Sequence, residues 1–263
     1  MSIKNFLFKR GYLIFKTVKS YKIENFLKRF RENFVSVDLI RVGGNQDGGY
    51  LVPNLLNNIN YCFSPGVDKN SDFESYLSNT YGIKSFMADA SVSDTPIKND
   101  NFTFIKKFIG SRSENDFTTL KEWMNDSVDM SEDNLILQMD IEGSEYEVLI
   151  VESEEILRRF SIMIIEFHNV QEIFEKNFFN IFSSIFEKIY RNFSICHVHP
   201  NNCCGIVTRD GIEVPKVIEI TFIRNDFLNI VKNNDTINLP HKLDRKNVLS
   251  NSDINMPDKW WKK

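Results

Sequence analysis

The chain has no apolar run approaching the roughly 20 residues that cross a bilayer, so a membrane-spanning helix is not expected. It has no C-x₂-C pair, and only four cysteines: Cys62, Cys196, Cys203 and Cys204. A secretory pattern at the N-terminus is also lacking, so the expectation is reduced thiols in a cytoplasmic protein. His197, His199, Cys203 and Cys204 form an H-x-H-x₃-C-C run, but adjacent cysteines rarely both reach one ion, which disfavours zinc. An overall basic balance is missing too. The net charge of −4 gives no global drive toward nucleic acid. Finally, no G-x-G-x-x-G is present, because the run Ser64-Pro65-Gly66-Val67-Asp68 carries a single glycine. Pyrophosphate needs several close backbone donors, so a dinucleotide is a poor fit. What remains is ordinary for a globular chain: 263 residues, 42% hydrophobic and 26% charged, enough for one α/β domain with extensions.

Charge is unevenly spread. Residues 1–35 carry nine Lys or Arg and only two acids, Glu24 and Glu32, among Phe6, Leu7, Tyr12, Leu13, Phe15, Phe26, Leu27 and Phe30. A basic amphipathic helix can lie on an anionic membrane, giving a membrane-peripheral protein. It can equally pack on its own domain or on a second subunit of a homo-oligomer. Packing is preferred, since peripheral helices are routinely mixed in this way.

Strand and helix patterns alternate along the chain. Strands are expected at residues 60–63, 84–88, 102–108, 134–139, 161–167, 193–198 and 217–224. Helices are expected at 71–80, 117–124, from 144, and over 170–190. Such alternation predicts a doubly wound, mostly parallel, seven-stranded-like α/β sheet. The division is a basic helical extension at 1–35, the main domain at 36–230, and a C-terminal tail at 231–263 anchored by Trp260 and Trp261.

The most informative stretch is Leu135-Ile-Leu-Gln-Met-Asp140-Ile-Glu142-Gly143-Ser-Glu145-Tyr146. An apolar strand drives into a core and stops at a carboxylate. Gly143 permits a close turn, and Glu145 and Glu147 suit a helix N-terminus. Ligands in open α/β sheets bind at the carboxyl ends of strands, so Asp140 is placed for chemistry. This acidic run resembles the signature of FkbM-type methyltransferases. Asp47-Gly48-Gly49-Tyr50, the Ser64-to-Asp68 turn, Ile165-Glu166-Phe167-His168 and the His197-to-Cys203 segment fit the same group, over about residues 38–224. The resemblance implies a class I, Rossmann-like methyltransferase that uses S-adenosyl-L-methionine for O-methylation. Its acceptor would be a sugar or nucleotide-linked sugar destined for a surface polysaccharide or glycolipid.

A nucleotide-like cofactor needs a close turn after the first strand, supplied by Gly66, and an acid after the second, supplied by Asp89, able to take both ribose hydroxyls. The resemblance places the cofactor at the same two residues. The cofactor-side candidates are Gly66, Val67, Asp68, Asp89, Ala90, Asp140 and Glu142. A sugar hydroxyl attacks only once its proton leaves, which calls for a base or a metal. Asp140 and Glu166 end neighbouring strands, and His168 lies two residues beyond Glu166, on the same side of a continued strand. These three could hold Mg²⁺ or Mn²⁺, or His168 could be a base oriented by a carboxylate. His197 and His199 complete the catalytic candidates, with Asn201 and Asn202 beside them for acceptor recognition. Asp47 and Tyr50 read either as a lid over the site or as part of a plain hairpin turn. Two alternatives stay open: an NAD-dependent dehydrogenase, and a non-catalytic sugar-binding or scaffold protein.

Overall fold

The computed structural model describes residues 3–12, 14–231 and 236–262. Leu13 and the beginning of the tail, 232–235, lie outside the described residues. The sheet strands are β1 (Tyr61–Pro65), β2 (Lys84–Ala88), β3 (Phe102–Ile105), β4 (Leu135–Met139), β5 (Phe160–Phe167), β6 (Phe193–Pro200) and β7 (Ile218–Arg224). The helices are α1 (Ile3–Phe8), α2 (Ser20–Glu32), α3 (Asp72–Tyr81), α4 (Leu120–Ser127), α5 (Glu145–Val151), α6 (Glu154–Leu157), α7 (Lys176–Ile189) and α8 (Asp258–Trp261).

The strands lie in the order β6-β7-β5-β4-β1-β2-β3. Strands β1 to β5 pair in parallel, and β7 runs antiparallel to both β5 and β6. This is a doubly wound, mostly parallel seven-stranded α/β sheet, as the alternation of elements predicts. Strands β4 and β5 are fully buried and mostly apolar, as strands covered on both faces must be. One core holds Phe63, Leu137, Ile165 and the Phe-rich face of α7; the other holds Cys62, Ile136, Ile164 and Tyr50. From β1 the chain winds out to β2 and β3, then crosses back to β4 on the other side of β1. That reversal opens a crevice outside the carboxyl ends of β1 and β4.

A hairpin of Leu39–Gly43 and Gly49–Pro53 covers the β5–β7 side, tied down where Thr221 Oγ1 donates to Leu51 O at 2.8 Å. Its tip carries Asp47. Helix α2 buries Ile23, Phe26, Leu27 and Phe30, spaced three and four apart on one face. Trp260 of α8 seals that face: it is fully buried, meets Phe30 edge-on at 5.2 Å, and donates to Glu213 O at 2.9 Å. Phe6, Phe8, Tyr12 and Phe15 stay exposed. Among the described residues no helix is long and apolar enough to cross a membrane.

Several boundaries differ from the periodicity. The strand expected over 102–108 ends at Ile105, and Phe108–Ile109 pairs instead with Phe117–Thr118. The helix expected from 117 therefore starts at Leu120, where Thr119 Oγ1 accepts from Glu122 N at 3.2 Å. The helix expected over 170–190 is split into a 3₁₀ turn, Val170–Phe174, and α7, because Glu175 caps Phe178 N at 2.7 Å. A capping side chain fixes a helix start more firmly than apolar spacing does. The thiol expectation is also corrected. Cys203 and Cys204, adjacent in the turn after β6, form a disulfide, while Cys62 and Cys196 are free and buried.

Candidate active site

Gly66 leaves β1 with φ +84°, and Asp140 leaves β4 beside it, its N–H donating to Pro65 O at 3.2 Å. A Cβ on Gly66 would sit 1.5 Å from Asp140 O. Only glycine allows these two strand ends to close on one another. They floor a cavity of about 450 Å³ lined by Gly66, Asp68, Ala88, Asp89, Ser91, Phe108, Ile109, Phe117, Asp140, Ile141, Glu142 and Ser144. Of the expected cofactor-side residues, Gly66, Asp68, Asp89, Asp140 and Glu142 line this space, and Val67 lines a smaller adjoining one. Ala90 lines neither. The aromatic and aliphatic walls suit a flat base, and the Gly66 cradle suits a ligand lying close on the backbone. The residues therefore fit an adenosyl group. Asp89 differs from expectation in one respect. Its Oδ2 accepts from Asp68 N at 2.9 Å, and its Oδ1 accepts from Ser91 N at 2.8 Å and Ser91 Oγ at 2.6 Å. A carboxylate offers about four acceptor positions, so one rather than two is left for a ligand hydroxyl.

The acidic turn is held from within. Glu142 and Gly143 adopt positive φ, +56° and +106°. Glu145, at the start of α5 and fully buried, accepts from Ile141 N at 3.2 Å and Gly143 N at 3.1 Å. The same oxygen, Oε1, lies 3.0 Å from His168 Nδ1. His168 falls just past the end of β5 rather than on it, with its backbone oxygen taking the Tyr146 hydroxyl at 2.5 Å. Glu145 fixes Nδ1 as the protonated nitrogen, which leaves Nε2 with its lone pair. Nε2 looks out at Glu142 Oε2 (3.6 Å), Asp140 Oδ1 (3.7 Å) and Glu166 Oε1 (3.8 Å). The structure thus brings Asp140, Glu166 and His168 together at distances too long for direct hydrogen bonds.

Burial pushes Asp140 up to about 7, against the pull of His168. Glu166 is held well above the usual carboxylate range by burial, with Asp140 and Glu219 adding to it. Burial alone would lower His168, but its hydrogen bond to Glu145 and the surrounding acids raise it above its ordinary value. A buried polar chain lies beneath. Ser64 Oγ reaches both Glu74 and, at 2.6 Å, Gln138 Oε1, while Gln138 Nε2 donates to Tyr50 Oη at 3.1 Å. One hydroxyl hydrogen cannot serve two acceptors. Burial raises Glu74 to about 7, against the pull of its bond from Ser64, and in its protonated form it supplies the second hydrogen.

His197 and His199 are not with His168. Both are buried on β6 against Asp244 of the C-terminal tail. His197 Nε2 is 2.9 Å from Asp244 Oδ1, and His199 Nδ1 is 3.8 Å from Oδ2. Burial would raise Asp244, but the two histidines hold it well below the carboxylate range. His199 is itself raised to about 8, with Asp244 and Glu219 overcoming its burial. Asn201 donates to Glu166 Oε1 at 2.9 Å, and Asn202 donates to Val248 O at 2.9 Å. Sequence reasoning did not assign a site role to Glu145 or Glu219. Glu219 had a signal: an acid inside the apolar run Ile218-Glu-Ile-Thr-Phe-Ile. Glu145 had none beyond its place in a helix N-terminus.

Residues 50–193 match the family described as the methyltransferase FkbM domain. No curated protein matches the chain. Among solved structures, a precorrin-6y C5,15-methyltransferase from Geobacter metallireducens GS-15 is similar at 11% identity and TM-score 0.34, over 80% of this chain and 94% of that one. The Methanococcus jannaschii fibrillarin pre-rRNA processing protein is similar at 12% identity and TM-score 0.38, over 72% and 82%. The plantazolicin methyltransferase BpumL, solved in complex with SAH, is similar at 10% identity and TM-score 0.32, over 63% and 76%.

Proposed function

The chain belongs to the FkbM methyltransferase family, and from that premise we propose that it methylates a hydroxyl of a sugar or nucleotide-linked sugar, with S-adenosylmethionine as donor. The observation that carries this reading is His168. Its Nδ1 is engaged by buried Glu145 and its Nε2 opens beside Asp140 at the rim of the cofactor cavity. A histidine oriented by a carboxylate behind it is a general base in the right tautomer. Bound S-adenosylmethionine supplies an electrophilic methyl group on a sulfonium. The chain's part is to hold the acceptor oxygen against that methyl and take its proton at Nε2. Positioning supplies much of the rate in such a displacement. The acids around the crevice, Asp68, Asp140 and Glu142, favour a cationic donor. The acceptor would enter from the side of exposed Asp47, over the small cavity that Asp47, Gly48, Asn70 and Gln138 line, a polar setting suited to hydroxyl groups. A cytoplasmic, surface-polysaccharide setting fits such an acceptor.

A second reading adds Mg²⁺ or Mn²⁺. Asp140, Glu142 and His168 each offer a ligand atom within 4.8 Å of the others, and Asp140 Oδ1 is buried without a partner. The test of the whole reading is direct. Adenosylhomocysteine, and not NAD, raises the melting temperature, because a ligand of the native state stabilises it. A screen of nucleotide-linked sugars with labelled methyl donor then finds the acceptor. Binding of NAD alone would overturn the proposal. Full turnover of metal-stripped protein in excess EDTA would leave His168 as the sole activating group.

A further inference from the structure

Glu166 on β5 and Glu219 on β7 are direct cross-strand partners, and both are more than nine-tenths buried, at 4% and 6% exposure. Like charges directly opposite on a sheet are destabilising, and buried carboxylates left unpaired are costly. A third acid, Asp47, comes down from the hairpin tip, so that one oxygen from each of the three lies within 4.8 Å of the others. The neighbours offset this only in part. His199, the cross-strand partner of Glu219 on β6, pulls against the burial of Glu219 but also faces Asp244. At Glu166, burial and the acids Asp140, Glu219 and Asp47 outweigh the pull of the Asn201 amide. Arg41 spends its guanidinium on backbone oxygens, those of Gly44 at 2.8 Å, Gln46 at 3.1 Å and Leu243 at 3.4 Å. Asn247, 7% exposed, donates its one amide nitrogen to Glu219 Oε1 at 2.5 Å and to Asp47 Oδ1 at 3.3 Å. Asn201 reaches only Glu166 Oε1. Two oxygens are left buried without any partner: Glu166 Oε2 and Asn247 Oδ1. Buried polar atoms of a native structure are rarely orphaned, and the unpartnered Glu166 Oε2 within a cluster of acids points to a missing positive ligand.

We propose that Asp47, Glu166 and Glu219 bind a divalent cation of the oxygen-preferring kind, Mg²⁺ or Mn²⁺. All three ligands are carboxylate oxygens, the donor set such ions select. Turning the Asn247 amide about its axis exchanges nitrogen for oxygen and would offer a fourth oxygen in place of the donor that Glu219 and Asp47 now share. Asp47 is exposed, so an ion can enter from solvent. The site is distinct from the Asp140–Glu142–His168 group, although Glu166 stands between the two. It rests on the buried acids alone and goes beyond the methyl-transfer reading. Its place between Asn201 and the hairpin tip would let the ion hold oxygens of a polyhydroxyl acceptor.

The experiment uses the full chain after chelator treatment, titrated with Mn²⁺ while free Mn²⁺ is followed by electron paramagnetic resonance. Saturable binding is expected, weakened at least about tenfold in both Asp47→Asn and Glu219→Gln, the scale of losing a direct charged ligand (each tenfold being 1.4 kcal/mol). Glu142→Gln removes a ligand from the neighbouring group; any Mn²⁺ it loses belongs to that group, and the Mn²⁺ lost in Asp47→Asn is expected to be retained. Asp47 is on the surface, so Asp47→Asn stays informative even where Glu219→Gln fails to fold. The proposal is overturned if all Mn²⁺ remains free at millimolar concentration, which would mean protons alone neutralise the cluster. It is equally overturned if Asp47→Asn binds as tightly as the parent, or if Glu142→Gln loses all saturable binding. Adenosylhomocysteine binding, followed in parallel, separates the readings. Its absence in the parent protein counts against methyl transfer and leaves the cation site standing.

Discussion

The two rims of the crevice treat their carboxylates in opposite ways. On the β1–β3 rim, Asp89 accepts three hydrogen bonds and sits among Phe108, Ile109 and Phe117. On the β5–β7 rim, Glu166 Oε2 and, at the boundary, Asp140 Oδ1 are buried with no partner. A satisfied carboxylate holds a loop in place and leaves a preformed shape. Unsatisfied ones, with acidities displaced by burial and by each other, mark where a ligand completes the structure. On the proposed reading, the contrast gives shape recognition of the donor to one rim and proton and charge chemistry to the other.

The contrast is broken most severely on the charged rim. His168→Ala and Asp140→Asn are each expected to lower kcat by about 10²-fold or more, the usual scale for a positioned base. Adenosylmethionine affinity should hardly change in His168→Ala. Near-normal kcat in that variant would leave Asp140, or a metal held on it, as the activating group. Asp89→Ala probes the satisfied rim. Adenosylhomocysteine affinity should drop by about 1.5–3 kcal/mol for one lost hydrogen bond to a charged group, and unchanged affinity in a folded variant would remove Asp89 from the donor site.

The pH profile sharpens the comparison further. His168 is raised above its ordinary 6.5, so its base form appears only above that pH. The acidic limb of kcat/KM should therefore lie above pH 6.5 and fall about tenfold per unit below its midpoint. Stability has the opposite sign: protonation of His168 favours the fold fully below 6.5, and that contribution is lost as pH rises through the raised value. A limb below pH 6 would contradict the Glu145–His168 arrangement. The smallest effect belongs to the polar chain beneath the crevice. Tyr50→Phe leaves Gln138 Nε2 without its acceptor and should cost about 1–2 kcal/mol in denaturant unfolding. A variant as stable as the parent would show that the chain can be broken without loss.

Much of the donor rim was legible in the residues. Gly66 after one apolar run, Asp89 after the next and Asp140 after a third follow from strand periodicity and turn chemistry, which are local. The pairing of Asp140 with Glu166 and His168 was legible too, because consecutive strands in a wound sheet tend to be neighbours. The missed boundaries at Ile105, Thr119 and Glu175 lie where a cap or a short ladder outweighs an apolar pattern.

By itself, the sequence determined the alternation of elements, the acidic turn and the carboxylates at strand ends, since each depends on neighbours within a few residues. Only the tertiary structure decided that β7 inserts antiparallel between β5 and β6, setting Glu219 directly against Glu166. It also brought Asp47 from the hairpin and Asn247 from the tail to the same point, and held His197 and His199 on Asp244. Register between strands and the landing place of a distant loop are settled by which faces can be buried together, and that free energy is not written into the spacing of any one segment.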